Sequence, residues 1–499
     1  MRVSKWQISF LLIILVSLAS MPIGANNHQQ TTTTRSAFTV SEEITNVPYV
    51  WQEVNGFCLP SSLSMVLQSM GLDLSLYDIL AASGTGFSVV SISVDESMTL
   101  LPGVLVRQIP WLEFLTDLYG LELQIYLNSS TDYGENAMQI LASLSSEIID
   151  YANSDLMAPL DVMRDSIDSG YPLTIGVDTY YLPPADWNII RDYVGPLQPG
   201  GIGHAIVIVG YNDTSATVSV FDPGVGLLEP YVGYPNDGRW NYTMPYSMLD
   251  NAWKGAGYAT FRLSNVTGKA DNFEKRLASY ISQRLLGNRS SYFEGLENFF
   301  YLGTGADAFR GMGLDMNLEA IKDYCTYYLE ADKPTAIRLL GHNLEAMMTM
   351  QYMAYRSALD SLPDLLPSYD LTEFIDAASE ALPHMEVLSH NASMTSVITI
   401  VPRNTLLYNT FFDMASTFES SHDLDGSIAE HSEELDEIAA HLISIADAWK
   451  TAGQALASEI AESEPLPFNN LIVVIGGGAV VLIIAIVFAT RRRNAVKEC

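Results

Sequence analysis

The apolar pattern of the chain changes character once, and that change sets the fold class. Between Val47 and about Ser264, β-rich runs such as "PLTIGVDTYY", "HAIVIVGY" and "ATVSVFDP" alternate with helical stretches, Pro60 to Met70 and Ala137 to Ala152 among them. Turn residues separate the runs. From about Lys269 to Glu464 the strand signal nearly vanishes, and helix formers dominate, as in "LEAIKDYCTYYLEA" and "AIRLLGHNLEAMMTMQYMAYRSAL". Ile428, Leu435, Ile438, Leu442, Ile445 and Trp449 follow helical spacing. The first part, residues 46–267, therefore reads as an α+β domain, and residues 268–464 as an all-α domain. With 499 residues, 48% of them apolar, the chain has material for more than one core. No internal repeat is visible.

Both ends carry an apolar run. Met1 to Ala25 has a basic start, the run "FLLIILVSLAS" and small residues after it, the pattern of a cleaved secretory signal. Residues 26–45, polar and containing "TTTT", read as a flexible leader. Leu471 to Thr490 holds 20 uncharged residues. At about 1.5 Å each they would span roughly 30 Å, the thickness of a bilayer core. Arg491, Arg492 and Arg493 follow, so the expectation is one transmembrane helix at 471–490, a cytoplasmic tail at 491–499 and the other domains outside the cell membrane. Six Asn-X-Ser/Thr sequons, at Asn128, Asn212, Asn241, Asn265, Asn288 and Asn391, suit a glycoprotein.

The net charge of −33 argues against nucleic acid or anionic lipid as a partner. Three cysteines make no disulfide framework, and Cys58 and Cys325 fall in different predicted domains. A lone thiol in an exported chain singles out Cys58. It lies in "VPYVWQEVNGFCLPSSLSMVLQSMG", just ahead of a helix marked by Pro60 and by Leu63, Val66, Leu67 and Met70. A helix N-terminus lowers a thiol's pKa, and so does a nearby imidazolium.

His204 is the only histidine in the β-rich part, and it opens a strand. With Asp213 taken as the centre of the hairpin, His204 and Asp222 face each other about 5 Å apart on one side of the sheet. A one-residue slip would separate them. Asp222 could then accept one imidazole N–H, leaving the other ring nitrogen for Cys58. The backbone N–H of Cys58 and the side chain of Gln52 could serve a developing oxyanion. Each residue has a plainer use: a buried thiol, a satisfied polar residue, a turn aspartate. Together the four suit one chemistry. Other motifs do not: "HDLDGS" lacks the rest of a calcium loop, His431 and His441 lack further metal ligands, and "YLGTGADAFRGMG" reads as a loop. Neither a metal nor a cofactor is expected.

These stretches, with "GHAIVIVGYND", "VSVFDPGVG" and "MPYSMLDNAWKGAGYATFRL", resemble the peptidase C39-like family, whose fold is that of papain. They are also similar to the N-terminal domain of the butirosin-biosynthesis acyltransferase group. The resemblance spans roughly Val47 to Asn265. It implies a papain-like cysteine peptidase domain with an antiparallel sheet, with Trp253 in its core. It also implies Cys58 as nucleophile, His204 as general base and acid, Asp222 as orienting residue and Gln52 as oxyanion donor. The family usually has glycine after the cysteine, where this chain has Leu59. The expected function is a membrane-anchored extracytoplasmic thiol hydrolase, a cysteine peptidase acting on a peptide or protein. The alternatives are an acyl or peptidyl transferase using the same thiol, and a non-catalytic binding or adhesion module. No partner is assigned to the helical half.

Overall fold

The computed structural model describes residues 40–94, 97–105, 111–131, 148–151, 156–194, 203–228, 231, 233–287, 299–327, 333–389 and 405–463. The expected signal at 1–25, most of the leader, and the apolar run at 471–490 lie outside the described residues.

The first part is built on an eight-stranded sheet. Its strands are β1 (Ser41–Glu43), β4 (Glu122–Leu127), β5 (Ile148–Asp150), β6 (Leu173–Asp178), β7 (Gly203–Asn212), β8 (Thr217–Phe221), β9 (Asn241–Pro245) and β10 (Thr260–Ser264). The order runs β5-β4-β10-β6-β7-β8-β9, with β1 paired to the end of β7. All pairings are antiparallel except β4 with β5. Ser41–Glu43, read from sequence as leader, is thus an edge strand. Ile148–Asp150 is strand where the sequence suggested helix.

The two remaining strands of the first part, β2 (Val89–Val94) and β3 (Ser97–Pro102), join β11 (Phe299–Thr304) in a separate three-stranded sheet. β11 runs from Phe299 into the first four residues of "YLGTGADAFRGMG". That stretch is therefore a strand leading into the helix Ala306–Leu314 and not a loop. The glycines obscured its strand character.

Helix α1 (Cys58–Ser69) starts two residues before the expected position. It packs on one face of the sheet, where Leu63, Val66 and Leu67 meet Val207 and Val209. The other face carries Ile206 and Ile208 against Trp187, Leu173, Met163 and Trp253, which is fully buried. The alternation along β7 thus feeds two cores. The first core does not stop at the sheet. It continues through Leu80 of α2 (Leu76–Ala82) to Leu340, Met347 and Tyr355, and on to Ile438 and Trp449. These last residues belong to two long helices of the second part, Lys333–Leu365 and Ser432–Ser463.

The expected transmembrane helix and single-pass membrane localisation are corrected here. Among the described residues no helix is long and apolar enough to cross a membrane. The two long helices have the length, 33 and 32 residues, but each carries charged residues on the side facing away from the core. The fold supported is mixed α+β, with a sheet-bearing part and a helical part. Nor do all the sequons suit modification. Asn128 is buried, and its side chain accepts a hydrogen bond from the Ser130 N–H at 2.9 Å. Asn288 and Asn391 lie outside the described residues.

Candidate active site

The segment before Cys58 runs beside the turn that follows β8. The Gln52 N–H donates to Pro223 O (3.1 Å), Trp51 Nε1 to Val225 O (3.0 Å) and the Tyr49 hydroxyl to Asp222 O (3.1 Å). The chain then bends sharply into α1. Glu53 has φ +58, a conformation side chains rarely adopt, and Gly56 has φ +91. The Tyr77 hydroxyl of α2 grips the Glu53 carboxylate at 2.9 Å. Phe57 caps the helix without a side-chain hydrogen bond, and its first turn holds no acidic residue. The positive helix end is thus left to the thiol.

His204 and Asp222 come together. Nε2 of His204 lies 2.7 Å from Oδ1 of Asp222. Asp222 is fully buried, yet four donors reach its carboxylate. Besides His204 these are Gly224 N (2.9 Å), Trp187 Nε1 (3.0 Å) and the Tyr242 hydroxyl (3.2 Å). A buried carboxylate stays charged only with such donors. The Trp187 ring also lies 5.0 Å from the imidazole, centroid to centroid. Gly224 closes the pocket from the other side: a Cβ there would sit 2.8 Å from Cε1 of His204 and 2.9 Å from the Trp187 ring. Only glycine lets the turn come this close.

With Nε2 taken by Asp222, Nδ1 of His204 is left for Cys58. The two groups shift each other in opposite directions. Burial pushes the Cys58 thiol up, but hydrogen bonding and charge from His204, with the backbone N–H groups of Ala205 and Leu59, bring it below its ordinary value. Burial pushes the imidazole down. The Asp222 carboxylate and the hydrogen bond to Cys58 outweigh it, so His204 rises to about 10. Such a pair favours thiolate and imidazolium over the neutral forms. Helix and strand are fastened at this point, since Ser62 Oγ donates to Ala205 O at 3.3 Å. Cys325 gives the contrast. It is fully buried with no such partner, and burial pushes its thiol up to about 12.

Gln52 is 2% exposed, and its Nε2 donates to Val54 O at 3.1 Å, which occupies one of its two N–H bonds. Its Oε1 has no partner. Leu59, where the family usually has glycine, adopts ordinary helical backbone and packs half-buried against the core. No positive φ is needed there. The structure therefore brings Cys58, His204 and Asp222 together, and it sets Gln52 on the segment beside the Asp222 turn, with its side chain turned to Val54 O. It adds Trp187, Tyr242 and Tyr49, which sequence reasoning missed. Tryptophan in "PPADWNII" was the one available signal, but nothing local ties it to Asp222, 35 residues on. Among the described residues no group of three or more His, Cys, Asp or Glu could hold a metal ion.

Residues 44–261 match the Peptidase_C39 like family. The match covers under half of the chain and leaves the helical part outside it. It bears out the resemblance drawn from the sequence: residues 44–261 are similar to the C39-like family, which supports a cysteine-peptidase type of function for this part. No curated protein matches the chain.

Proposed function

We propose that this chain, whose N-terminal part is similar to the C39-like family, is a thiol hydrolase that cleaves peptide bonds through Cys58. One observation carries the reading: the thiol and the imidazole are shifted toward the charged pair, and Asp222 anchors the ring from the far side.

The Cys58 thiolate attacks the scissile carbonyl carbon, and the carbonyl oxygen takes the negative charge. The Cys58 N–H and the second N–H of Gln52 Nε2 receive that oxyanion. His204 gives its Nδ1 proton to the leaving amine as the C–N bond breaks, which leaves a thioester on Cys58. Water then loses a proton to His204 and adds to the thioester carbonyl, and the returning proton frees the thiol and the new carboxylate. Asp222 takes no proton and holds the ring in place. The substrate is a peptide or protein.

The test is alkylation of the full chain by iodoacetamide at pH 6, followed by mass spectrometry of each cysteine. Fast labelling of Cys58, lost in His204→Ala, is expected. Labelling no faster than at Cys325 would overturn the reading in favour of a binding module. If amine nucleophiles outcompete water for the acyl group on Cys58, the enzyme is a transferase.

A further inference from the structure

Gly56, two residues before the thiol, faces the helical part of the molecule. A Cβ at this position would fall 2.6 Å from Sδ of Met350. Met350 is 2% exposed and lies in the long helix Lys333–Leu365, here α10. The methionine side chain therefore occupies the space above the bend that leads from Gln52 to Cys58.

Three further contacts fix α10 against the first part. Gln351, the next residue, is fully buried. Its Nε2 donates to Gly86 O at 2.8 Å, and its Oε1 accepts from Gly103 N at 3.1 Å. Ser361 Oγ donates to Asp78 of α2. The neighbouring Tyr77 of α2 in turn holds Glu53 at the other end of the same bend. The bend is thus gripped at Glu53 through α2 and at Gly56 by α10 directly. Both grips depend on one helix from outside the C39-like match.

We infer that the helical part completes the candidate active site: α10 is a strut for the bend between Gln52 and Cys58, and Met350 is a positioning residue that fixes how that bend presents the nucleophile to His204. The inference rests on the proposed role of Cys58. Its physical basis is that a misplacement of about 1 Å at a nucleophile or an oxyanion donor can cost about a hundredfold in rate. A bend with two residues at positive φ persists only where the surrounding structure holds it. Truncating Met350 leaves a void into which the bend can relax in part.

The test measures Cys58 alkylation from pH 5 to pH 9 in the full chain, alongside its melting temperature. Met350→Ala is expected to move the midpoint of the thiol's titration upward by about half a pH unit, making labelling at pH 6 about threefold slower. Met350→Leu should restore most of it. Leu362→Ala, a buried truncation elsewhere in α10, should lower the melting temperature as much and leave the midpoint in place. Met350→Val, which shortens the side chain less, serves if the alanine variant does not fold. An unmoved midpoint in the Met350 variants, or an equal move in Leu362→Ala, would overturn the inference. The midpoint is read whatever the absolute rate, so slow labelling of the unaltered chain would count against the proposed function alone.

Discussion

Nε2 of His204 and Oδ1 of Asp222 lie 2.7 Å apart although the two residues are not partners in the β7–β8 ladder. The ladder pairs Val207 with Phe221 and Ile208 with Val220, then a bulge shifts it so that Gly210 meets Ser219. Continued one step, it sets Asp222 opposite Ile206. The sequence-based register, centred on Asp213, is therefore out by two. An even slip keeps both side chains on the same face, and the ring reaches diagonally to the carboxylate. Turn chemistry explains the difference. Asn212 Oδ1 accepts from Thr214 N and Ser215 N, and Ala216 takes φ +53, which moves the hairpin's centre toward its C-terminal side.

The His204–Asp222 pair should make stability depend on alkaline pH. The folded imidazole titrates at about 10, above its ordinary value of 6.5. A raised pKa contributes stability that is full below 6.5 and is lost as pH rises through about 10. Urea unfolding of the full chain and of His204→Gln should show a gap that is constant below pH 6.5 and narrows toward pH 10. A gap that widens with pH would contradict the ion pair.

Tyr242→Phe and Trp187→Phe each remove one donor from a fully buried carboxylate. Hydrogen bonds to charged groups contribute about 1.5–3 kcal/mol. Each variant should lose about that much in chemical denaturation, with the Trp187 change also slowing Cys58 alkylation through the loosened ring. A loss below about 0.5 kcal/mol would mean that water replaces the missing donor.

Gln52→Ala should separate oxyanion stabilisation from thiol activation. Removing one oxyanion donor typically costs about 10²–10³ in kcat. Peptide turnover should fall by that order while the pH profile of Cys58 alkylation holds, because iodoacetamide develops no oxyanion. Equal loss in both assays would show that Gln52 acts on the bend and not on the substrate.

Gln351→Leu keeps the volume of the side chain and removes both clamps, leaving Gly86 O and Gly103 N buried without their partner. An unsatisfied buried group costs about 1–3 kcal/mol, so a loss of about 2–6 kcal/mol is expected in urea unfolding. A single transition in which both parts unfold together should accompany it, given the shared core.

The sequence by itself determined the local pieces: the strand that His204 opens and the helix just after Cys58, which the structure starts two residues earlier than expected. Each follows from periodicity or from a single backbone preference within a few residues. It also brought Cys58, His204, Asp222 and Gln52 into one proposal, because one chemistry needs all four. Only the tertiary structure decided what surrounds them. Trp187 and Tyr242 reach Asp222 from other elements, β11 pairs with β2 across some 200 residues of chain, and Met350 fills the space above Gly56. A long-range contact leaves no periodic trace in either of the segments that make it. It is set by how the faces pack, and that becomes fixed only when the whole core closes.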